Sequence, residues 1–191
     1  MEESDDALML AYARGDAAAF ERLYARHKGP TYRYFLRHTS DRSAADELHQ
    51  DVWLRVVRAR ERYAADARFT TWLYTLARHR LVDHWRTRRG IRFVSLDDEG
   101  EDAGFDGRLD AGLRQGGTDP LDEAMDAQTG LRLVAALAAV PAAQRDAFLL
   151  HVEAGLSLAE IGTLAGVPAE TVKSRLRYAY SRLRAALEES Q

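Results

Sequence analysis

The sequence predicts an all-α protein of two small helical domains joined by a flexible acidic linker, and three observations carry that prediction. Apolar residues recur three or four apart along most of the chain, with no sustained alternation of the kind a strand would show. Between residues 93 and 118 that periodicity lapses, and Gly100, Gly104, Gly107, Gly112, Gly116 and Gly117 are interspersed with aspartates. Residues 157–176 then read SLAEIGTLAGVPAETVKSRL, which has the caps and spacing of a helix, a tight turn and a second helix. The expected organisation is a first helical domain over residues 1–92, a linker over 93–118 and a second helical domain over 119–191.

Each element has a local reason. Asp16 is placed to cap a helix running through Phe20, Leu23 and Tyr24, and Pro30 punctuates it before an aromatic-rich segment from Thr31 to Arg37. Ser43 is expected to cap a third helix, in which Ala45, Leu48, Val52, Val56 and Ala59 recur at helical spacing. Residues 60–68 read as a loop. A further helix runs from about Thr70 to Arg89, with Phe69, Trp72, Leu73, Leu76, Ala77 and Leu81 on its buried arc. Past the linker, Asp119 and Pro120 make a cap-and-proline start for a helix reaching Val140, and Pro141 begins another. Ser157 and Glu160 form a capping box, Gly162 keeps two crossing helices close, and Gly166 supplies a left-handed turn. Val167 and Val172 pin the last helix to its predecessor. That helix buries a stripe of Val172, Leu176, Ala179, Leu183 and Leu187.

Composition narrows the function. The chain has 191 residues, 46% hydrophobic and 30% charged, the balance of a folded domain rather than a disordered one. It has no cysteine, which excludes disulfides, thiolate metal sites and cysteine nucleophiles. The acidic start, Met-Glu-Glu-Ser-Asp-Asp, lacks the basic region of a signal peptide, and no uncharged run approaches membrane length. A cytoplasmic protein without membrane insertion is expected. The six histidines (His27, His38, His49, His79, His84 and His151) form no paired-ligand motif. Residues 155–159 only echo a nucleophile elbow, since Ala159 replaces its second glycine, and no phosphate-cradling glycine loop is present. No catalytic residue, metal or cofactor is expected. The net charge of −3 hides a segregation: acids crowd the N-terminal tip and residues 97–123, whereas bases dominate residues 55–92 and 173–184.

Three faces then stand out. On the last helix Glu170, Ser174, Arg177, Tyr178 and Ser181 point away from the apolar stripe, flanked by Thr171 and Lys173, a mixture suited to phosphate and base-edge contacts. A helical hairpin with a merely solvated face remains the alternative. Opposite the buried arc of residues 69–89 lie Arg78, His79, Arg86 and Arg89, with Trp85 near the edge. Cations beside aromatics can hold an opened strand, and few acids lie nearby in sequence to pair with them. Trp72 reads as core. Around Leu48 cluster Asp46, Glu47, Gln50 and Asp51, with Trp53 behind. On an amphipathic helix such carboxylates form a solvated or partner-binding face more readily than an acid–base pair.

Taken in order, these segments resemble a bacterial RNA polymerase sigma factor of the sigma-70 family, in its extracytoplasmic-function (ECF) group. Ala45-Asp-Glu-Leu-His-Gln-Asp-Val-Trp-Leu-Arg55 resembles the family's core-docking helix. Phe69-Thr-Thr-Trp-Leu-Tyr through His84-Trp-Arg resembles its promoter-melting helix, and Ser157 to Leu176 its −35-reading helix-turn-helix. The resemblance implies a transcription initiation factor with core RNA polymerase and promoter DNA as partners, an anti-sigma factor as restraint, and no catalysis of its own. It implies core-polymerase contacts at Asp46, Glu47, Leu48, Gln50, Asp51 and Trp53. It implies −10 contacts at Arg78, His79, Trp85, Arg86, Arg88 and Arg89, and −35 contacts at Glu170, Thr171, Lys173, Ser174, Arg175, Arg177 and Tyr178. The loop over residues 60–68 would capture a flipped base, and the acidic linker would run along the polymerase's RNA path. His79 stands where the family commonly has asparagine, and His49 where an apolar residue is usual. The readings left open are a stand-alone helix-turn-helix regulator and a sigma-mimicking adaptor.

Overall fold

The computed structural model describes residues 3–88 and 127–188, and among them it contains eight α-helices, one 3-10 turn and no strand. The expected linker, the start at Asp119-Pro120 and Arg89 lie outside the described residues.

Helix α1 (Asp5–Ala13) was not foreseen; Ser4 caps it and Leu8 and Met9 are fully buried. Asp16 does cap α2, its carboxylate accepting from the Ala19 amide at 3.2 Å. Pro30, however, does not divide this segment: α2 runs unbroken over Ala17–Thr39. Proline removes one helical hydrogen bond, but Leu23 on one side and Tyr34 and Phe35 on the other are fully buried, and that packing holds the helix through it. Its end is set by Ser40 in the left-handed conformation, φ 54°. The next cap is Asp41 rather than Ser43. The Asp41 side chain accepts from the amides of Ser43 at 2.9 Å and Ala44 at 3.4 Å, so α3 spans Arg42–Ala59.

A 3-10 turn over Arg60–Arg62 leads into the loop before α4 (Phe69–Arg88). The N-terminus of α4 is capped from a distance: Asp6 accepts from the Phe69 amide at 2.7 Å and from the Tyr63 hydroxyl at 2.8 Å. On the predicted arc Phe69, Leu73, Ala77 and Leu81 are buried, with Trp72 and Leu76 partly so. Trp72 packs on Tyr63 and Phe69 with ring centroids 5.1 and 5.8 Å apart, as a core residue does. α2 packs on α1 and α3, and α3 on α4.

The second set comprises α5 (Ala127–Ala139), α6 (Ala142–Val152), α7 (Leu158–Ala165) and α8 (Ala169–Glu188). Pro141 precedes α6, and the Ser157–Glu160 capping box opens α7. Gly166 turns the chain at φ 72°. A Cβ on Gly162 would stand 2.7 Å from the Val167 carbonyl oxygen, so only glycine fits where the turn crosses α7. Val172, Leu176, Ala179 and Leu183 are buried as a stripe, each of the larger ones contributing about 1.5–3 kcal/mol; Leu187, at the helix end, stays 36% exposed. α8 packs on α5, α6 and α7, while α5 and α6 also touch α2 of the first set. Among the described residues no helix is long and apolar enough to cross a membrane.

Candidate nucleic-acid interface

The last helix carries the first candidate surface. With its apolar stripe turned onto α6 and α7, Glu170 and Lys173 are left exposed at the start of α8, 3.7 Å apart. Thr171, Ser174, Arg175, Arg177 and Tyr178 are half-buried along its flank. The Arg177 guanidinium lies 5.1 Å from the centre of the Tyr178 ring, a stacking contact that limits how the arginine can reach. The helix-turn-helix thus places every predicted residue of this group on one helix, outside its core stripe.

On α3 the predicted group divides. Asp46, Glu47 and Gln50 are exposed, but Leu48 is fully buried and Trp53 only 5% exposed. Leu48 and Trp53 therefore belong to the core that fixes the helix. Trp53 sits edge-on to Tyr24 with centroids 4.8 Å apart, and its indole N–H donates to His49 Nε2 at 3.1 Å. His49 thereby serves as a half-buried acceptor, which explains a histidine at an otherwise apolar site; burial pushes its pKa below the ordinary value. Beside Trp53, Phe20, Tyr24, His49, Leu54 and Val57 line a shallow apolar cleft, where Leu54 is 45% exposed. Asp51 and Glu47 are both held by Arg80 of α4, Glu47 at 3.2 Å, an arginine that sequence reasoning passed over and that ties α3 to α4.

On α4 the cations are less free than their sequence neighbours suggest. His79 and Arg86 are exposed, and Arg86 lies 3.6 Å from Asp83 one turn away. Trp85 is half-buried, edge-on to His38 with centroids 5.5 Å apart. Arg88 ends the helix; its side chain lies outside the described residues, as does all of Arg89. Arg78 points into the second helical set, its Nε donating to Asp146 Oδ2 at 2.8 Å and its Nη1 to the Leu164 carbonyl at 3.3 Å. The acid that pairs it is 68 residues away in sequence, which is why a local reading found none.

That pair belongs to a run of polar contacts between the two sets. The buried Asp146 of α6 also accepts from the Tyr34 hydroxyl at 3.0 Å, and its Oδ1 lies 3.4 Å from His38 Nε2. Burial works against the Asp146 carboxylate, but His38 and Arg78 outweigh it and hold its pKa well below the ordinary value. His38 is pushed down by its own burial. Two turns on, Glu153 accepts from Arg33 at 2.9 Å and from Arg37, while its carbonyl accepts from the Tyr74 hydroxyl at 3.3 Å. Burial lowers the Arg37 pKa to about 10. At the start of α7, Glu160 accepts from Thr71 Oγ1 at 2.7 Å and lies 3.6 Å from Arg68. Although desolvation opposes it, the Ser157 amide and Thr71 hydroxyl hold Glu160 at about 2. Tyr34, Tyr74, Asp146 and Glu153 carry no local signal, because their roles depend on partners in the other half of the chain.

Residues 23–91 match the family model for Sigma-70 region 2, and residues 130–183 match that for Sigma-70, region 4. The ECF RNA polymerase sigma factor SigL of Mycobacterium tuberculosis is 33% identical over 178 residues, covering 93% of this chain and 93% of that protein. The ECF RNA polymerase sigma factor SigF of Caulobacter vibrioides is 31% identical over 178 residues, covering 93% and 90%. Among solved structures, CnrH in complex with the cytosolic domain of CnrY superposes with a TM-score of 0.68 at 18% identity, covering 99% of this chain and 100% of that one. RpoE in complex with the anti-sigma factor NepR from Bartonella quintana gives 0.63 at 21%, covering 90% and 98%; both share the fold. With two family models matched in order and relatives similar over almost their whole length, the chain belongs to the ECF group of sigma-70 family RNA polymerase sigma factors, initiation factors that direct the polymerase to specific promoters.

Proposed function

We propose a division of labour among the three faces. Asp46, Glu47, Gln50 and Asp51 of α3 meet core RNA polymerase, supported from beneath by Leu48 and Trp53. Arg78, His79, Trp85, Arg86, Arg88 and Arg89 hold and read the −10 element as it opens, with the loop over residues 60–68 receiving a flipped base. Glu170, Thr171, Lys173, Ser174, Arg175, Arg177 and Tyr178 of α8 read the −35 element in the major groove. Residues 1–92 and 119–191 act as separate domains, and the acidic residues 93–118 thread the polymerase between them. Sigma factors act as transcription factors rather than enzymes, and we assign this chain no reaction of its own. Its place of action is the cytoplasm.

The observation that carries the reading is the placement on one chain of an outward acidic face on α3, a cationic α4 tied to it through Arg80, and a helix-turn-helix whose polar residues lie outside its core stripe. An operator-binding regulator has no use for the first two. The solved neighbours include a sigma factor, RpoE, in complex with the anti-sigma factor NepR, and a restraint of that kind on this chain follows by analogy.

D46K/E47K tests the assignment in a pull-down on core polymerase. Reversing two exposed charges should cut retention at least tenfold (about 1.4 kcal/mol or more) while leaving duplex DNA binding through α8 unchanged. Undiminished retention would remove α3 from the polymerase interface.

A further inference from the structure

Residues 60–68, Arg-Glu-Arg-Tyr-Ala-Ala-Asp-Ala-Arg, form a loop that local energies do not favour. Three alanines, three arginines and a glutamate are good helix formers, and neither glycine nor proline interrupts them. On propensity alone α3 would carry on through this stretch. Instead it tightens into the 3-10 turn, and Tyr63 leaves the helix with ψ 123°. What imposes the break lies 57 residues earlier, on α1. The Tyr63 hydroxyl and the Phe69 amide, one near each end of the loop, donate to the same Asp6 oxygen, Oδ1, at 2.8 and 2.7 Å. The Arg60 guanidinium lies 5.6 Å from the centre of the Tyr12 ring, also on α1. α1 is in turn fixed to α2, because Asp5 accepts from Arg26 Nη1 at 2.8 Å and lies 2.8 Å from His27 Nε2. Between the pinned ends, Ala64, Ala65, Asp66 and Ala67 are exposed. Such short side chains have little to pack against, so the ends set the shape of the loop.

We propose that Asp6 is a positioning residue for base capture: by tying Tyr63 and Phe69 to one oxygen, α1 turns a helix-prone segment into a loop of fixed shape, and so sets how sharply that loop tells one base from another. The inference rests on the loop over residues 60–68 being the receiver of the flipped base. A site that discriminates between bases needs its donors and acceptors held to within about 0.5 Å. Ordering a loop costs entropy at every residue, and pinning both ends beforehand removes part of that cost from the binding step. Released from Asp6, the segment would relax toward helix and draw its apex out of place. The tie needs an oxygen rather than a charge, since an amide oxygen also has two lone pairs and can accept from both donors. It can also be cut without disturbing the core. The Tyr63 ring is buried with its centroid 6.2 Å from Phe69 and 5.1 Å from Trp72, so loss of the hydroxyl alone frees the loop and leaves the ring in place. Asp6 then still caps α4. α1, which none of the three proposed faces uses, thereby takes part in promoter choice.

The test uses the full chain assembled with purified core polymerase, on a promoter library randomised across the −10 element. At each position the readout is the ratio of transcripts from the preferred base to those from the other three. Reduced stability lowers transcripts from every promoter alike and leaves these ratios unchanged, so they separate positioning from a merely structural role. A64S/A65N/D66A/A67S, which changes the exposed side chains of the apex, identifies the position that the loop reads, as the one whose ratio moves. Y63F should lower the ratio at that same position roughly three- to tenfold, the worth of one hydrogen bond, and leave the others within about twofold. D6A should do the same or more, whereas D6N, which keeps the accepting oxygen, should stay near the unsubstituted chain. If D6A does not fold, Y63F decides alone. Ratios unmoved by Y63F at the position that the apex variant identifies would overturn the proposal and leave the loop as base receiver. So would a D6N as damaging as D6A. Core-dependent transcripts whose ratios the apex variant moves at no position would instead remove the loop from base capture, and the proposal with it.

Discussion

The absence of a side chain at residue 162 and its presence at residue 177 show how single positions divide between fold and function. Gly162 leaves room for the Val167 carbonyl that closes the helix-turn-helix, and G162A should destabilise the chain by about 1–3 kcal/mol in urea unfolding, because the atom it meets is backbone. Arg177 instead stacks on Tyr178 beside the polar face. R177A should weaken binding to the −35 element by about 1–3 kcal/mol if the guanidinium reads a base, with relaxed preference at one position. An equal loss on all duplexes would make it a phosphate contact. Gly162, Gly166 and the Ser157–Glu160 box were legible in sequence because each does its work within a turn or two. Asp146 was not: its partners Tyr34, His38 and Arg78 lie far along the chain, and an acid beside Ala147, Phe148 and Leu149 gives no sign of what it will meet.

Helices show the same division. Those with local caps, α2 at Asp16 and α7 at Ser157, start where the sequence places them. The start of α4 depends on Asp6, 63 residues earlier, so neither the role of α1 nor the cap of α4 could be read from the neighbouring residues. D6A should cost about 1–2 kcal/mol of stability, the usual loss of a cap, since it also strands the Tyr63 hydroxyl. An unchanged urea midpoint would mean that the Phe69 amide finds another acceptor. Pro30 is the instructive misreading. Proline punctuates a helix when only local energies count, but here the burial of Leu23 on one flank and of Tyr34 and Phe35 on the other overrides it. On α3 periodicity gave the helix and its acidic face, yet it did not separate the exposed Asp46, Glu47 and Gln50 from the buried Leu48 and Trp53.

For the molecule as a whole, burial sets how stability responds to pH. His38 and His49 have depressed pKa values when folded, so below about pH 6.5 the unfolded chain takes up protons that the folded one refuses, and stability falls with pH. Glu160, held at about 2, and Asp146, also depressed, stabilise the fold above the ordinary carboxylate range and lose that contribution as pH drops below about 4.5. Urea midpoints should therefore decline gently from pH 7 to 5 and more steeply below 4.5. H49Q, which keeps an acceptor for Trp53, should flatten the gentle stage, and a midpoint constant from pH 7 to 5 would contradict it. The helical class, the two helical sets and the family were all legible because they rest on periodicity and ordered motifs. The contact between the sets was not, since it joins residues that no local pattern relates. If this chain gives core polymerase its choice of promoter, start-site mapping on a fragmented genomic library, with purified core polymerase and with or without the chain, will reveal it. Discrete new start sites that share two spaced upstream elements are expected; a transcript pattern identical to that of core alone would show that the chain does not direct initiation.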